Sequence, residues 1–303
     1  MKTEKIPSGC ADALRGKCIA ITGSTGGLGG ELCAAFAASG ASLILLDRNP
    51  KRSQAHAERL RERFGCKVTC VTLDLELLTS ANAALEHLEA LRPEIFIHNA
   101  GAYAIKRHPT ESGYDNVFQI NFATPYYLIR RLLPTLRAKN GHVVIVGSIA
   151  HHLSHINPED VDFSGSRSDM RAYGNAKRYL ILATEALIAA ETQVTLSVSH
   201  PGITPTNITS HYPRPINALV KPPMRLIFPP PRRAVRSVLA GVTDTTATGE
   251  WIGPRILGVW GRPRKKARLS TNPDEQAKAA QIADEVFARC LACAEAAQTE
   301  NGR

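Results

Sequence analysis

The sequence predicts an α/β fold with a single doubly wound parallel sheet and helices on both faces. Three observations carry that expectation. Short apolar runs recur at 17–23 (KCIAITG), 42–47 (SLILLD), 67–73 (KVTCVTL), 94–98 (EIFIH), 142–147 (HVVIVG) and 193–199 (QVTLSVS). Helix-like segments separate them, the alternation that lays parallel strands side by side through right-handed crossovers. The first run also passes through a glycine-rich turn into a helix-like stretch, 28–39, which Gly40 stops.

Further along, the pattern weakens. After Pro201 a proline-rich excursion (213–231, PRPINALVKPPMRLIFPPP) cannot hold an uninterrupted helix. A helix-like stretch at 231–241, one last strand around 250–259, the basic run RPRKKAR (262–268) and an alanine-rich helix from about 273 to 297 complete the chain. One domain over 1–303 is expected: a core at 15–210, a lid or loop at 203–232, and a basic run with its helix at 262–303.

Composition narrows the function classes. With 303 residues, 44% hydrophobic and 21% charged, wholesale disorder, collagen and coiled coil are excluded. No run of eighteen apolar residues occurs and the N-terminus lacks a secretory apolar segment, so a cytoplasmic protein is expected. Seven cysteines, odd in number and scattered through helix- and strand-like stretches, read as reduced thiols. Cys290 and Cys293 read as small residues of a helix. The net charge of +10 attracts anions of many kinds, from nucleotides to nucleic acid or acidic lipid.

The chemistry begins at Thr22-Gly23-Ser24-Thr25-Gly26-Gly27-Leu28-Gly29, a strand-to-helix turn in which glycines let backbone N–H groups approach a pyrophosphate. Asp47 closes the second run eighteen residues after Gly29, where a carboxylate can accept hydrogen bonds from an adenosine ribose; capping a helix before Pro50 is its other reading. Asp74, followed by Leu75, stands where it could meet an adenine edge or simply form a turn.

With these motifs and those downstream, the chain resembles the short-chain dehydrogenase/reductase family. Thr22 to Gly29 is similar to its Thr-Gly-x-x-x-Gly-x-Gly turn, and His98-Asn99-Ala100-Gly101 to its Asn-Asn-Ala-Gly, with His in place of the first Asn. Asn121 matches the catalytic-helix asparagine, Ser148 the active-site serine, Tyr173 and Lys177 the Tyr-x-x-x-Lys pair, and Pro201, Gly202 and Thr206 the segment beside the nicotinamide. The likeness spans about 15–210, and 144–153 with the following loop is most like retinol-dehydrogenase-type members. It implies a Rossmann fold, a nicotinamide cofactor, a lipophilic secondary alcohol or ketone as small-molecule substrate, and a homodimer or homotetramer.

Residue chemistry runs parallel to this. Tyr173 and Lys177, four apart, share a helix face, and an adjacent ammonium should lower the phenol's pKa. Ser148 would donate to the carbonyl or alcohol oxygen, and Asn121 would hold a water linking Lys177 to solvent. His151, His152 and His155 lack an accompanying carboxylate or thiol, so no metal is expected. Asp47 should repel a 2'-phosphate that Arg48 could pair with, which favours NAD(H) while keeping NADP(H) open. Two other functions remain: a non-catalytic nucleotide-binding protein of the same fold, and a nucleic-acid-binding protein, for which no reader motif is present. The basic run beside Trp260 could touch a membrane face, although no such contact is expected.

Overall fold

The computed structural model describes residues 8–191, 193–202, 229–243, 251–266 and 272–301. In chain order the elements are α1 (Ser8–Leu14), β1 (Cys18–Thr22), α2 (Gly27–Ala38), β2 (Ser42–Asp47), α3 (Pro50–Phe64), β3 (Val68–Thr72), α4 (Leu78–Leu91) and β4 (Ile95–His98). Helix α5 starts as Asn116–Phe118, passes through a π-helical turn at Gln119–Ala123 and continues as Thr124–Arg137. β5 (His142–Val146), a 3-10 turn (Ile149–Leu153), α6 (Asp169–Ala190), β6 (Thr195–Ser199), α7 (Pro231–Thr243), β7 (Trp251–Ile256), β8 (Trp260–Lys266) and α8 (Pro273–Asn301) follow.

The strands form one eight-stranded sheet in the order β3-β2-β1-β4-β5-β6-β7-β8. All neighbours are parallel except β7 and β8. Side-chain alternation divides the core. Ala20, Ile44, Leu46, Phe96, Val143 and Ile145 face the layer of α4, α5, α6 and α8, whereas Ile19, Ile21, Leu43, Leu45, Ile97 and Val144 face the layer of α2, α3 and α7. Because β1 has β2 on one side and β4 on the other, the winding reverses between β1 and β4. The crevice at their C-terminal ends is where such sheets bind ligands.

The chain is already helical at Ser8–Leu14, with Leu14 buried. Two sequence expectations need correction. The last strand is two strands, and the basic run at 262–266 lies in β8, where Arg262, Arg264 and Lys265 are exposed. An edge strand needs only one hydrogen-bonded side, so it tolerates Pro263 and a charged surface that a central strand would reject. The C-terminal helix extends to Asn301. It lies over α4, α5 and α6, where Arg130 pairs with Asp284 at 2.5 Å and Arg178 with Glu275.

The six described cysteine side chains are free, with Cys290 buried in the α8 contact. Among the described residues no helix is long and apolar enough to cross a membrane. Most of the 203–232 lid, including Leu219, Val220, Met224, Leu226, Ile227 and Phe228, lies outside the described residues, as does Thr206.

Candidate active site

The glycine turn is built by close approach. Gly23 adopts φ +70°, and a Cβ on Gly29 would stand 2.1 Å from the Gly23 carbonyl oxygen, so only glycine lets α2 start this near β1. Helix α2 has no side-chain cap at Gly26 and no acidic residue in its first turn. Its uncommitted N–H groups and positive dipole end therefore suit an anionic pyrophosphate, with Ser24, Thr25, Gly27 and Leu28 around it.

Neighbouring polar groups lock this turn to the rest of the edge. Asn99 Nδ2 donates to the carbonyls of Thr22 (3.0 Å) and Gly23 (3.2 Å). The Thr22 hydroxyl accepts from the N–H groups of Asn99 (3.1 Å) and Ala100 (3.0 Å). With both lone pairs taken, that hydroxyl must give its proton to His98 Nδ1, 3.3 Å away. Neutral His98 then carries its own proton on Nε2, which has no protein partner among the described residues.

Asp47 behaves differently from expectation. Its carboxylate is buried and accepts four hydrogen bonds: from Ser24 Oγ, from Thr25 N and Oγ1 (both 3.1 Å), and from Ser53 Oγ (3.1 Å). A carboxylate has about four acceptor positions. Asp47 in this arrangement therefore pins the glycine turn to α3 and has no acceptor left for a ribose hydroxyl, although its charge stays. Arg48 is exposed beside it. Asp74 forms a turn, accepting from Glu76 N at 3.1 Å, and the Leu75 side chain packs into the core.

The catalytic candidates converge on the same edge from β5, α5 and α6. Ser148 follows β5, and its Oγ caps the 3-10 turn by accepting from Ala150 N at 3.2 Å. It also hydrogen-bonds Tyr173. Lys177, one helical turn after Tyr173, is buried; its Nζ donates to the Val146 carbonyl at 3.3 Å and lies 5.9 Å from the Tyr173 ring centroid. A Cβ on Gly101 would come within 2.7 Å of Asn121 Oδ1 and 3.5 Å of Lys177 Nζ, so the glycine keeps that space open.

Two expectations fail here for identifiable reasons. Burial pushes the Tyr173 phenol up to about 12, with only the Ser148 hydrogen bond opposing it. Lys177 does not reach the hydroxyl and is itself desolvated, its pKa pulled down to about 8. The Asn121 amide, in turn, is committed to protein: Oδ1 accepts from Ala102 N (3.2 Å), and Nδ2 donates to the carbonyls of Ala102 and Val117 (both 2.8 Å). It anchors the loop after β4 instead of presenting a free amide to a water.

Sequence reasoning missed the walls of the site. Tyr103 packs edge-on to Tyr173, with centroids 5.5 Å apart, and Val117, Ala150, Phe163 and Ala172 complete a small apolar cluster around the phenol. The apolar Ala-Tyr-Ala-Ile after Gly101 was the available signal. Phe163 sits at φ +55°, held by Arg107, which donates to its carbonyl at 2.6 Å and pairs with Asp115 at 2.9 Å. His151 is buried, neutral near pH 7 with burial lowering its pKa to about 4, and its Nδ1–H donates to the Ser148 carbonyl. Pro201 and Gly202 close the edge beyond β6.

Comparison with known proteins places the chain among relatives. The short chain dehydrogenase family model matches residues 17–216. Human "Dehydrogenase/reductase SDR family member 13" is 31% identical over 244 residues, 77% of this chain and 64% of that protein, so the chain spans just under two thirds of that relative. Mouse "Retinol dehydrogenase 14" is 30% identical over 231 residues, 71% of this chain and 68% of that protein. Among solved structures, a Mycobacterium paratuberculosis protein superposes with TM-score 0.70 at 26% identity, covering 94% of this chain and 97% of its own. A short-chain dehydrogenase from Sphingobium yanoikuyae in complex with NADPH shares the fold at TM-score 0.51 and 24% identity, over 64% of this chain and 73% of its own. With a family model matched over most of the chain and relatives 30–31% identical over more than 70% of it, the chain belongs to the short-chain dehydrogenase family.

Proposed function

We propose that this chain is an NAD(P)-dependent oxidoreductase that interconverts a secondary alcohol and a ketone on a lipophilic substrate. The observation that carries this reading is the Tyr173 hydroxyl, hydrogen-bonded by Ser148 and enclosed by apolar side chains, with the Lys177 ammonium 5.9 Å from its ring. A nicotinamide cofactor would supply or accept the hydride.

The chain's own residues do the rest. Glycines 23, 27 and 29 and the α2 N-terminus would hold the pyrophosphate, while Asn99, Ala100 and Gly101 shape the floor of the crevice. Ser148 donates to the substrate oxygen as charge develops there. With its pKa near 12, Tyr173 is a phenol at neutral pH and so is poised to give a proton to a carbonyl oxygen. Lys177, charged below about pH 8, stabilises the phenolate that results. Tyr103, Ile105 and Phe163 exclude water and favour an apolar substrate. Relatives named retinol dehydrogenase and polyprenol dehydrogenase support the lipophilic character of the substrate.

NAD(H) is the favoured cofactor. Although its acceptor positions are filled, the Asp47 charge remains next to the ribose position and repels a 2'-phosphate, whereas exposed Arg48 can turn into solvent. The relatives of this fold with NADPH bound make NADP(H) the competing outcome. A screen of ketones and secondary alcohols, followed at the nicotinamide absorbance with both cofactors, tests both statements. Turnover with apolar pairs and a higher kcat/KM for NAD(H) is expected. Cofactor binding without turnover of any pair would overturn the catalytic reading, and a preference for NADP(H) the cofactor assignment.

A further inference from the structure

The turn between β7 and β8 presents two large apolar side chains to solvent. Leu257 is 83% exposed and Ile256 55%, and Leu257 stands at φ +48°, a left-handed conformation that glycine or asparagine adopts with far less strain. The turn is nevertheless held firmly. Val259 N donates to the Ile256 carbonyl at 2.9 Å, His200 Nε2 meets the Gly258 carbonyl at 3.1 Å, and Val259 is buried. The result is a rigid apolar knob.

Uncompensated positive charge surrounds it. Arg255, Arg262 and Arg264 are exposed and form no ion pair among the described residues. From 251 to 273 the sequence holds six Lys or Arg and no Asp or Glu. β7 runs parallel to β6, so the knob projects from the sheet edge that carries the glycine turn and Ser148. It also abuts the substrate side: a Cβ on Gly202 would lie 3.0 Å from the Val259 carbonyl oxygen.

We propose that this hairpin tip docks on an anionic lipid surface, with Ile256 and Leu257 entering the interface and the arginines meeting headgroup phosphates. An apolar point ringed by cations matches a bilayer boundary, in which apolar and anionic layers are stacked in that order. Strand addition by a second copy suits it less, because β8 carries Pro263 and flanking charges along its free edge. Docking there turns the mouth of the site toward the bilayer. The inference goes beyond the proposed reaction and does not depend on it.

Co-sedimentation of the full chain with vesicles of phosphatidylcholine alone, or of phosphatidylcholine with phosphatidylserine, tests the proposal directly. Binding to the anionic vesicles should be at least about tenfold tighter and weaken steeply with added salt. Leu257→Gly relieves the positive φ, so it folds at least as well as the wild type, yet it should lose about tenfold in affinity. Arg262→Gln with Arg264→Gln should cost about fivefold per charge. Three results would each overturn the proposal: no binding, binding indifferent to lipid charge and to Leu257→Gly, or a lipid-free dimer that Leu257→Gly dissociates.

Discussion

The two halves of the candidate site handle their buried polar groups in opposite ways. Around the glycine turn the side chains that shape it are bonded within the protein: Thr22 uses both lone pairs and its proton, Asn99 holds two carbonyls, and Asp47 accepts four hydrogen bonds. Around Tyr173 and Lys177 the groups are buried with little support. Among the described residues Lys177 has one bond of 3.3 Å, and the Nε2 atoms of His98 and His151 have no partner. The first half is a finished mould for a cofactor. The second is poised, with its pKa values displaced by desolvation, the arrangement expected where protons are to move.

Substitutions on the two sides should therefore fail differently. The largest effect is expected from Tyr173→Phe, which should lower kcat by about 10²- to 10⁴-fold while cofactor affinity and melting temperature stay near wild type. Steady-state kinetics beside cofactor titration would show it, and a near-normal kcat would remove Tyr173 from the mechanism. Asp47→Ala should do the reverse. It strands the buried hydroxyls of Ser24 and Ser53, costing about 2–4 kcal/mol in urea unfolding and weakening both cofactors together. A variant of unchanged stability would show that the four hydrogen bonds do not hold the turn.

Lys177 sharpens the contrast through pH. Its pKa falls from 10.5 in the unfolded chain to about 8 in the fold, so between those values the unfolded state binds the extra proton and stability rises with pH. Lys177→Met should abolish that rise, raise stability near pH 7 and remove most activity; the wild-type reduction rate should fall above about pH 8. A melting series from pH 7 to about 10 checks the sign. The smallest effect belongs to His98→Asn. It replaces a ring whose Nε2 has no partner among the described residues with an amide that can accept from the ammonium, and should move the alkaline limb of kcat upward by about half a unit. An unmoved limb would make His98 a packing residue only.

Much of this was legible in the chain. The apolar runs at 17–23 through 193–199 became β1 to β6 because fully buried parallel strands need uninterrupted apolar residues, and the order of the motifs placed Ser148, Tyr173 and Lys177 on one edge. β8 was hidden, since its Arg and Lys residues carry no apolar alternation and only an edge position makes them acceptable. The true partners of Asp47 were equally invisible: Ser24, Thr25 and Ser53 become one cluster only when the turn and α3 meet. The phenol's displacement depends on burial by Tyr103 and Phe163, which no local spacing encodes.

The π-helical turn at Gln119–Ala123 carries a consequence of its own. One surplus residue in a helix offsets the phase of everything before it by about 100°. The three residues Asn116–Phe118 and the long segment Thr124–Arg137 therefore follow two different angular settings on one continuous rod, and Asn121 occupies the splice. Removing a single residue there would yield a more regular helix and a less useful one, because Val117 and Phe118 would swing away from Tyr173 and Tyr179 while the rest of α5 stayed in register with the sheet. Irregularity at that point works as a gear tooth, letting one helix serve two surfaces whose spacings do not divide evenly.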